Sequence, residues 1–217
     1  MFKLLKPLAV VGAGGFGREV AWLIRDINEK EPTWDFVGFI DDRLAGKTVE
    51  GYPIIGNFEM LEKMDPAPYV VCAIGDPVIR KSVVDRCLDI GLEFATLVHP
   101  SVLLSDFVEI GSGSVICAGT VLTTNIKIGA YSILNLNCKV GHDSVLGDFA
   151  SLMPATNIAG EVTVGEGCYF GINSGAINQV SIGEWSIIGA GAMVVNDIPP
   201  RVVAVGVPAK PIKQREA

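Results

Sequence analysis

Two stretches of this chain set reactive side chains at spacings that chemistry can use. Gly141-His142-Asp143 places an imidazole beside a carboxylate in a chain with only two histidines, and near neutral pH imidazole is the natural general base. Adjacent strand residues point to opposite faces, so Asp143 reaches His142 only where the backbone turns, which Gly141 allows. A carboxylate so placed fixes the imidazole tautomer and stabilises the imidazolium; the alternative is a solvated corner histidine. The second stretch, Gly12-Ala13-Gly14-Gly15-Phe16-Gly17, fits G-x-G-x-x-G through Gly12, Gly14 and Gly17. Such a loop brings backbone amides at a helix start close to a phosphate. The acidic pair Asp41-Asp42, at the end of the next strand, is placed to hydrogen-bond a ribose or a base. Glycines that only close a turn are the alternative there.

The element that positions His142 is periodic. From Val98 to Val194 an apolar side chain recurs every sixth residue, through Ile116, Leu134, Val140, Leu152, Phe170 and Ile188 among others. Small residues such as Ser114, Ser132, Cys138, Ser144 and Ser174 stand two positions earlier. No helix or hairpin has that period; it predicts a parallel β-helix prism with flat six-residue sides. Seventeen apolar positions enclose sixteen hexads, so three sides per coil give about five coils. His142, two residues past the inward Val140, falls near a corner and projects outward. With eighteen residues per coil its neighbours are Thr124 and Gly160, and Gly160 offers a backbone N–H for a developing oxyanion. Asn135 and Asn137, one hexad earlier, either orient an acceptor or are solvated.

The front of the chain alternates strand and helix. Leu8 to Val11, Asp35 to Ile40 and Tyr69 to Ile74 read as strands, the last ending at Gly75-Asp76; Arg18 to Glu29 and Val78 to Asp89 read as helices. This predicts a small Rossmann-like parallel sheet over residues 1–97, with ligands at the carboxyl ends of its strands, ahead of the β-helix over 98–217. Some three strands, with no second half to hold a nicotinamide, argue against a dehydrogenase. His99, before Pro100, marks the linker.

The 217 residues carry a net charge of −7 and are 49% hydrophobic, which argues against disorder and against a nucleic-acid binder. Five cysteines without C-x-x-C read as reduced core thiols in a cytoplasmic protein. A Cys–His acyl-enzyme through Cys117 or Cys138 is a minor alternative, and no His or Cys cluster has metal-ligand spacing. Met1 to Val11 is interrupted well short of a signal peptide or membrane span.

The order of parts resembles the bacterial sugar acyltransferases related to sialic-acid O-acetyltransferase, which include N-acetyltransferases of nucleotide-linked 4-amino sugars. The resemblance spans nearly the whole chain: Val11 to Gly17, Ile40-Asp41-Asp42, Ile74-Gly75-Asp76, His99-Pro100, Gly141-His142-Asp143, Gly171-Ile172-Asn173-Ser174 and Gly206-Val207-Pro208-Ala209-Lys210. It implies a left-handed prism, a homotrimer with active sites between subunits, acetyl-CoA in the groove between neighbours, and a nucleotide sugar on the front domain. It further implies His142 as base with Asp143 beside it, and Asn135 on the sugar side. Gly160, Ile172 and Ala190 match the coenzyme groove; Gly12, Gly14, Gly15, Asp41, Asp42 and Gly75 match the nucleotide site. Where some amino-sugar members have a second histidine nine residues after the base, this chain has Ser151, whose hydroxyl donates a hydrogen bond but carries a proton poorly at neutral pH. The expected activity is acetyl transfer from acetyl-CoA to the amine of a nucleotide-linked 4-amino-4,6-dideoxy sugar. Sugar O-acetylation and a non-catalytic trimeric scaffold are the alternatives.

Overall fold

The computed structural model describes residues 4–42 and 46–215. Residues 1–3 and 43–45 of the expected front domain, and 216–217 of the expected second domain, lie outside the described residues. The chain separates into two compact units, Met1–Pro100 and Ser101–Ala217.

In the first unit, strands β1 (Lys6–Val11), β2 (Trp34–Ile40), β3 (Thr48–Val49), β4 (Tyr52–Gly56) and β5 (Tyr69–Cys72) form one sheet in the order β3-β4-β2-β1-β5. Pairs β1–β2, β1–β5 and β2–β4 are parallel; β3–β4 is antiparallel. Among the described residues the sheet therefore has five strands rather than three, and its last strand stops at Cys72 rather than Ile74. Pro53 and the terminal Gly56 make β4 a weak strand in isolation, which is why it escapes a reading by pattern.

Helix α1 (Gly15–Lys30) buries Val20, Ala21, Leu23 and Ile24 at helical spacing. Helix α2 (Phe58–Glu62) starts at Asn57, whose side chain accepts the Met60 N–H. Helix α3 (Pro77–Asp89) starts at Asp76, whose carboxylate accepts the Val78 and Ile79 N–H groups at 2.9 and 3.0 Å, with Pro77 at the first helical position. Ala9 and Val11 of β1 share a core with Leu61 and Cys87, so α2 and α3 cover one sheet face.

The second unit is the prism. Residues eighteen apart pair in parallel, as in Val121, Lys139, Asn157, Gly175 and Met193. Three such ladders close the coil: one from Leu103–Leu104 to Met193–Val194, one from Val108–Ile110 to Ser181–Ile182, and one from Val115–Ile116 to Val202–Val205, which Lys210–Gln214 extends antiparallel. Most ladder segments are two residues long, not six, because each side spends its remaining residues on a corner turn. The inward residues from Ile116 to Val194 are at most 3% exposed, and burial of this apolar column is what holds the coils together. Leu104, on the first coil, is 45% exposed because one stacking neighbour is missing. Many of the small inward slots hold satisfied hydroxyls: Ser144 Oγ donates to Ala159 O at 3.0 Å and accepts from Val162 N at 3.2 Å.

Candidate functional site

His142 and Asp143 form the two-residue turn at one prism corner. Asp143 adopts φ 59°, and that left-handed residue, rather than Gly141, turns its carboxylate back onto the imidazole. Gly141 serves stacking instead: a Cβ there would lie 2.6 Å from Gly160 N on the next coil. His142 Nδ1 sits 2.7 Å from Asp143 Oδ2, with both side chains about half exposed. The other carboxylate oxygen accepts from Asn125 Nδ2 at 2.5 Å. The Asn125 amide first, and then the His142 ring, hold the Asp143 carboxyl below the usual carboxylate range. An ionised Asp143 only accepts, so Nδ1 is the ring nitrogen that donates to it, and Nε2 is the one left on the Gly160 side.

Gly160 stacks directly above the ring. A Cβ at this position would approach Nε2 to 2.5 Å and Cε1 to 2.6 Å, so only glycine leaves the ring in its place. Thr124 lies below, its carbonyl accepting the Asp143 N–H, while the His142 carbonyl accepts the Glu161 N–H at 2.7 Å. The eighteen-residue step thus brings His142, Asp143, Asn125 and Gly160 together.

Other expected residues lie elsewhere on the prism. Ile172 and Ala190 occupy successive coils of a different corner, exposed in both cases, and a Cβ on the preceding Gly171 would strike Ala190 N at 2.5 Å. Asn135 is 7% exposed, not solvated, and its Oδ1 accepts the Leu136 N–H at 2.7 Å. Asn137 takes the left-handed corner conformation at φ 60°. Ser151 is fully buried on the ladder between Ile133 and Tyr169.

Neither cysteine of the acyl-enzyme alternative stands at the His142 corner. Cys138 is an inward core thiol that donates to Met153 O at 3.4 Å, and burial pushes it up to about 12. Cys117 is buried one coil below Asn135, so neither is placed as an exposed nucleophile. No group of three or more His, Cys, Asp or Glu gathers as metal ligands among the described residues.

The glycine loop borders a cleft of about 480 Å³ at the carboxyl ends of β1, β2 and β5, lined by Gly12, Gly14, Gly15, Phe16, Asp41, Asp42, Phe58, Ile74 and Arg86 among others. Its glycines divide by purpose. Gly12 has φ 100°, and a Cβ on Gly17 would collide with the Gly12 carbonyl, so both are required by the loop itself. Gly14 has an ordinary φ of −70° and, for a Cβ there, no heavy atom within 4 Å. The fold therefore leaves room for a side chain at 14, on the side of the loop that faces the cleft.

Asp41 and Asp42 also divide. Asp41 is 9% exposed and accepts the Ala13 N–H at 3.1 Å, tying β2 to the loop, whereas Asp42 is exposed. Gly75 is not among the lining residues; its carbonyl accepts from Arg80 Nη1 at 3.0 Å, and the Ile74 carbonyl does so at 2.7 Å. Arg80 is 1% exposed, and burial lowers it to about 10. Residue patterns did not reveal Arg80, Asn125, or the Arg86 guanidinium 4.0 Å over the Phe58 ring. His99 lies 3.1 Å from Asp26 of α1, a structural tether within the first unit.

Residues 7–87 match the PglD N-terminal domain family. GDP-perosamine N-acetyltransferase of Escherichia coli O157:H7 is 32% identical over 213 residues, covering 94% of this chain and 96% of that one. Among solved structures, the acetyltransferase domain of PglB from Neisseria gonorrhoeae FA1090 superposes with a TM-score of 0.89 at 32% identity, over 95% of this chain and 100% of that one. PerB from Caulobacter crescentus, in complex with CoA and GDP-perosamine, gives 0.89 at 31% identity, over 96% and 98%. The prism is thus the left-handed β-helix of these acetyltransferases. With an α/β front unit, a coil of hexads and relatives aligned almost end to end, the chain belongs to the hexapeptide-repeat acyltransferase family, in the branch that carries a PglD N-terminal domain.

Proposed function

We propose that this chain transfers the acetyl group of acetyl-CoA to the amine of a nucleotide-linked 4-amino-4,6-dideoxy sugar, with His142 as the general base. The observation that carries the chemistry is the half-exposed His142 ring, oriented by Asp143 at 2.7 Å and given its room by the missing side chain of Gly160. Nε2 takes a proton from the amine as its nitrogen attacks the thioester carbonyl. The carbonyl electrons move onto oxygen, which the Gly160 backbone N–H meets. Collapse restores the carbonyl, breaks the C–S bond, and returns the proton from the imidazolium to the departing CoA thiolate.

The front unit, residues 1–97, holds the nucleotide. Gly12, Gly14 and Gly15 leave room for phosphate oxygens against the start of α1, and Asp42 meets the ribose or base. Gly75 acts one step back, through the Arg80-tethered loop. The catalytic domain spans 98–217, and Asn135, which stands beside the Ile172–Ala190 corner, orients the sugar at the His142 corner of a neighbouring copy. A nucleotide-shaped cleft is best explained by a substrate that carries a nucleotide, which favours the amino-sugar reading over O-acetylation of a free sugar.

Ile172 and Ala190 stand at one corner, His142 and Gly160 at another, a flat side of roughly 15–20 Å apart. We infer a homotrimer with active sites between subunits, in which the His142 corner of one copy faces the Ile172–Ala190 corner of its neighbour and acetyl-CoA lies in the groove between them. All five cysteines are buried free thiols, in keeping with a cytoplasmic enzyme. No helix among the described residues is long and apolar enough to cross a membrane. The test is thiol release from acetyl-CoA against amino sugars and hydroxyl sugars, each with and without a nucleotide. Release with nucleotide-linked 4-amino sugars alone supports the reading; preference for free hydroxyl sugars indicates O-acetylation, and no release at all indicates a scaffold.

A further inference from the structure

The His142–Asp143 pair is not self-supporting. Asp143 sits on an exposed corner with both carboxylate oxygens engaged: Oδ2 toward His142 Nδ1 at 2.7 Å and Oδ1 toward Asn125 Nδ2 at 2.5 Å. A solvated aspartate turns freely about its terminal torsion. Here one oxygen is fixed from the coil below, so the other is held toward the imidazole. Asn125 is itself constrained, because it occupies the left-handed corner position at φ 55°, where asparagine is tolerated better than most residues.

We infer that Asn125 is a positioning residue of the acetyl transfer, which acts through Asp143 by locking the carboxylate rotamer that aims His142. This rests on the assignment of His142 as base. The side chain must donate to do this. An aspartate of the same shape would set two carboxylates against each other, and glycine would remove the donor while accepting the same backbone conformation. Thr124, the preceding residue, supplies only its carbonyl, to the Asp143 N–H. The corner above holds an amide–carboxylate pair of the opposite sense, with the amide on the upper coil and no base: Gln179 Nε2 donates to Glu161 Oε2 at 2.9 Å beside Gly160. The amide–carboxylate pair thus recurs along the corner, and only the Asn125–Asp143 copy stands next to a histidine.

The experiment is a double-mutant cycle in the full-length protein, using acetyl-CoA and the best nucleotide-linked amino sugar. Asn125→Gly is expected to lower kcat about tenfold while both KM values stay within about twofold, since only aim is lost. Asn125→Asp is expected to fall at least as far. In an Asp143→Ala background, Asn125→Gly should add nothing, because the group it acts through is gone. Wild-type kcat in Asn125→Gly, a rise in KM in place of the kcat loss, or losses that multiply in the double variant would each overturn the assignment. Circular dichroism and Tm of each variant separate this from misfolding, and a merely structural role would give multiplying losses with a fall in Tm. If His142→Ala keeps full activity, the underlying base assignment fails; if it is inactive while Asn125→Gly is not, only the role of Asn125 fails.

Discussion

Gly160 and His142 are matched across one coil: the space that a Cβ on residue 160 would fill is the space that Nε2 of the imidazole already occupies, at 2.5 Å. The contact is with the tip of a movable side chain, so the ring can yield, but only by leaving Asp143. Gly160→Ala should therefore keep the fold, with Tm nearly unchanged, and lower kcat by about tenfold or more through misdirected proton transfer. Thermal melts alongside steady-state kinetics check both halves, and full activity in the alanine variant would show that the ring does not work from this position.

The glycine loop gives a paired prediction. Gly14→Ala meets no atom within 4 Å, so it should leave stability intact while raising the KM for the nucleotide sugar about tenfold, as a methyl enters the ligand's space. Gly17→Ala collides with the Gly12 carbonyl and should lose roughly 1–3 kcal/mol of stability. Chemical denaturation and KM measurements on the two variants should thus give opposite patterns.

Asp41 holds the same loop from below through the Ala13 N–H. Asp41→Ala is expected to raise the KM of the amino-sugar acceptor several-fold more than that of acetyl-CoA. Equal effects on both substrates would contradict the division of labour between the two units.

The amount of structure legible beforehand varied with how repetitive the physics is. Each side of a coil needs an apolar residue at its inward slot and a small one two before it, so Ile116, Leu134 and Leu152 declare one wall of the prism directly. The same eighteen-residue step leads from His142 to Gly160. From Asp143 it leads back to Asn125, but an asparagine in a corner carries no signal until its amide is seen facing a carboxylate. In the front unit the hidden parts are short: β4 carries Pro53, and β3 has two residues. Arg80 reads as an exposed helical arginine until tertiary packing buries it beneath the Ile74 and Gly75 carbonyls.

Proton chemistry at the dyad has a defined sign. Hydrogen bonds from Asn125 first and His142 second favour the ionised Asp143, whose carboxyl is lowered from its ordinary value. Its contribution to stability is therefore present above the unfolded-state value and is lost as pH falls through the lower, folded-state one. A carbon-13 titration of the Asp143 carboxyl should show a midpoint below that of solvated aspartates. In His142→Ala the midpoint should rise but stay below them, because the larger contributor remains. A midpoint in wild type at or above the ordinary value would exclude the hydrogen-bonded dyad.

The most direct measurement is the rate of CoA release by His142→Ala with the nucleotide-linked amino sugar that the wild type acetylates fastest. Loss of turnover by about 10²–10⁴-fold, with unchanged circular dichroism and unchanged KM for acetyl-CoA, is the predicted result. Turnover near that of the wild type would contradict proton removal by this imidazole.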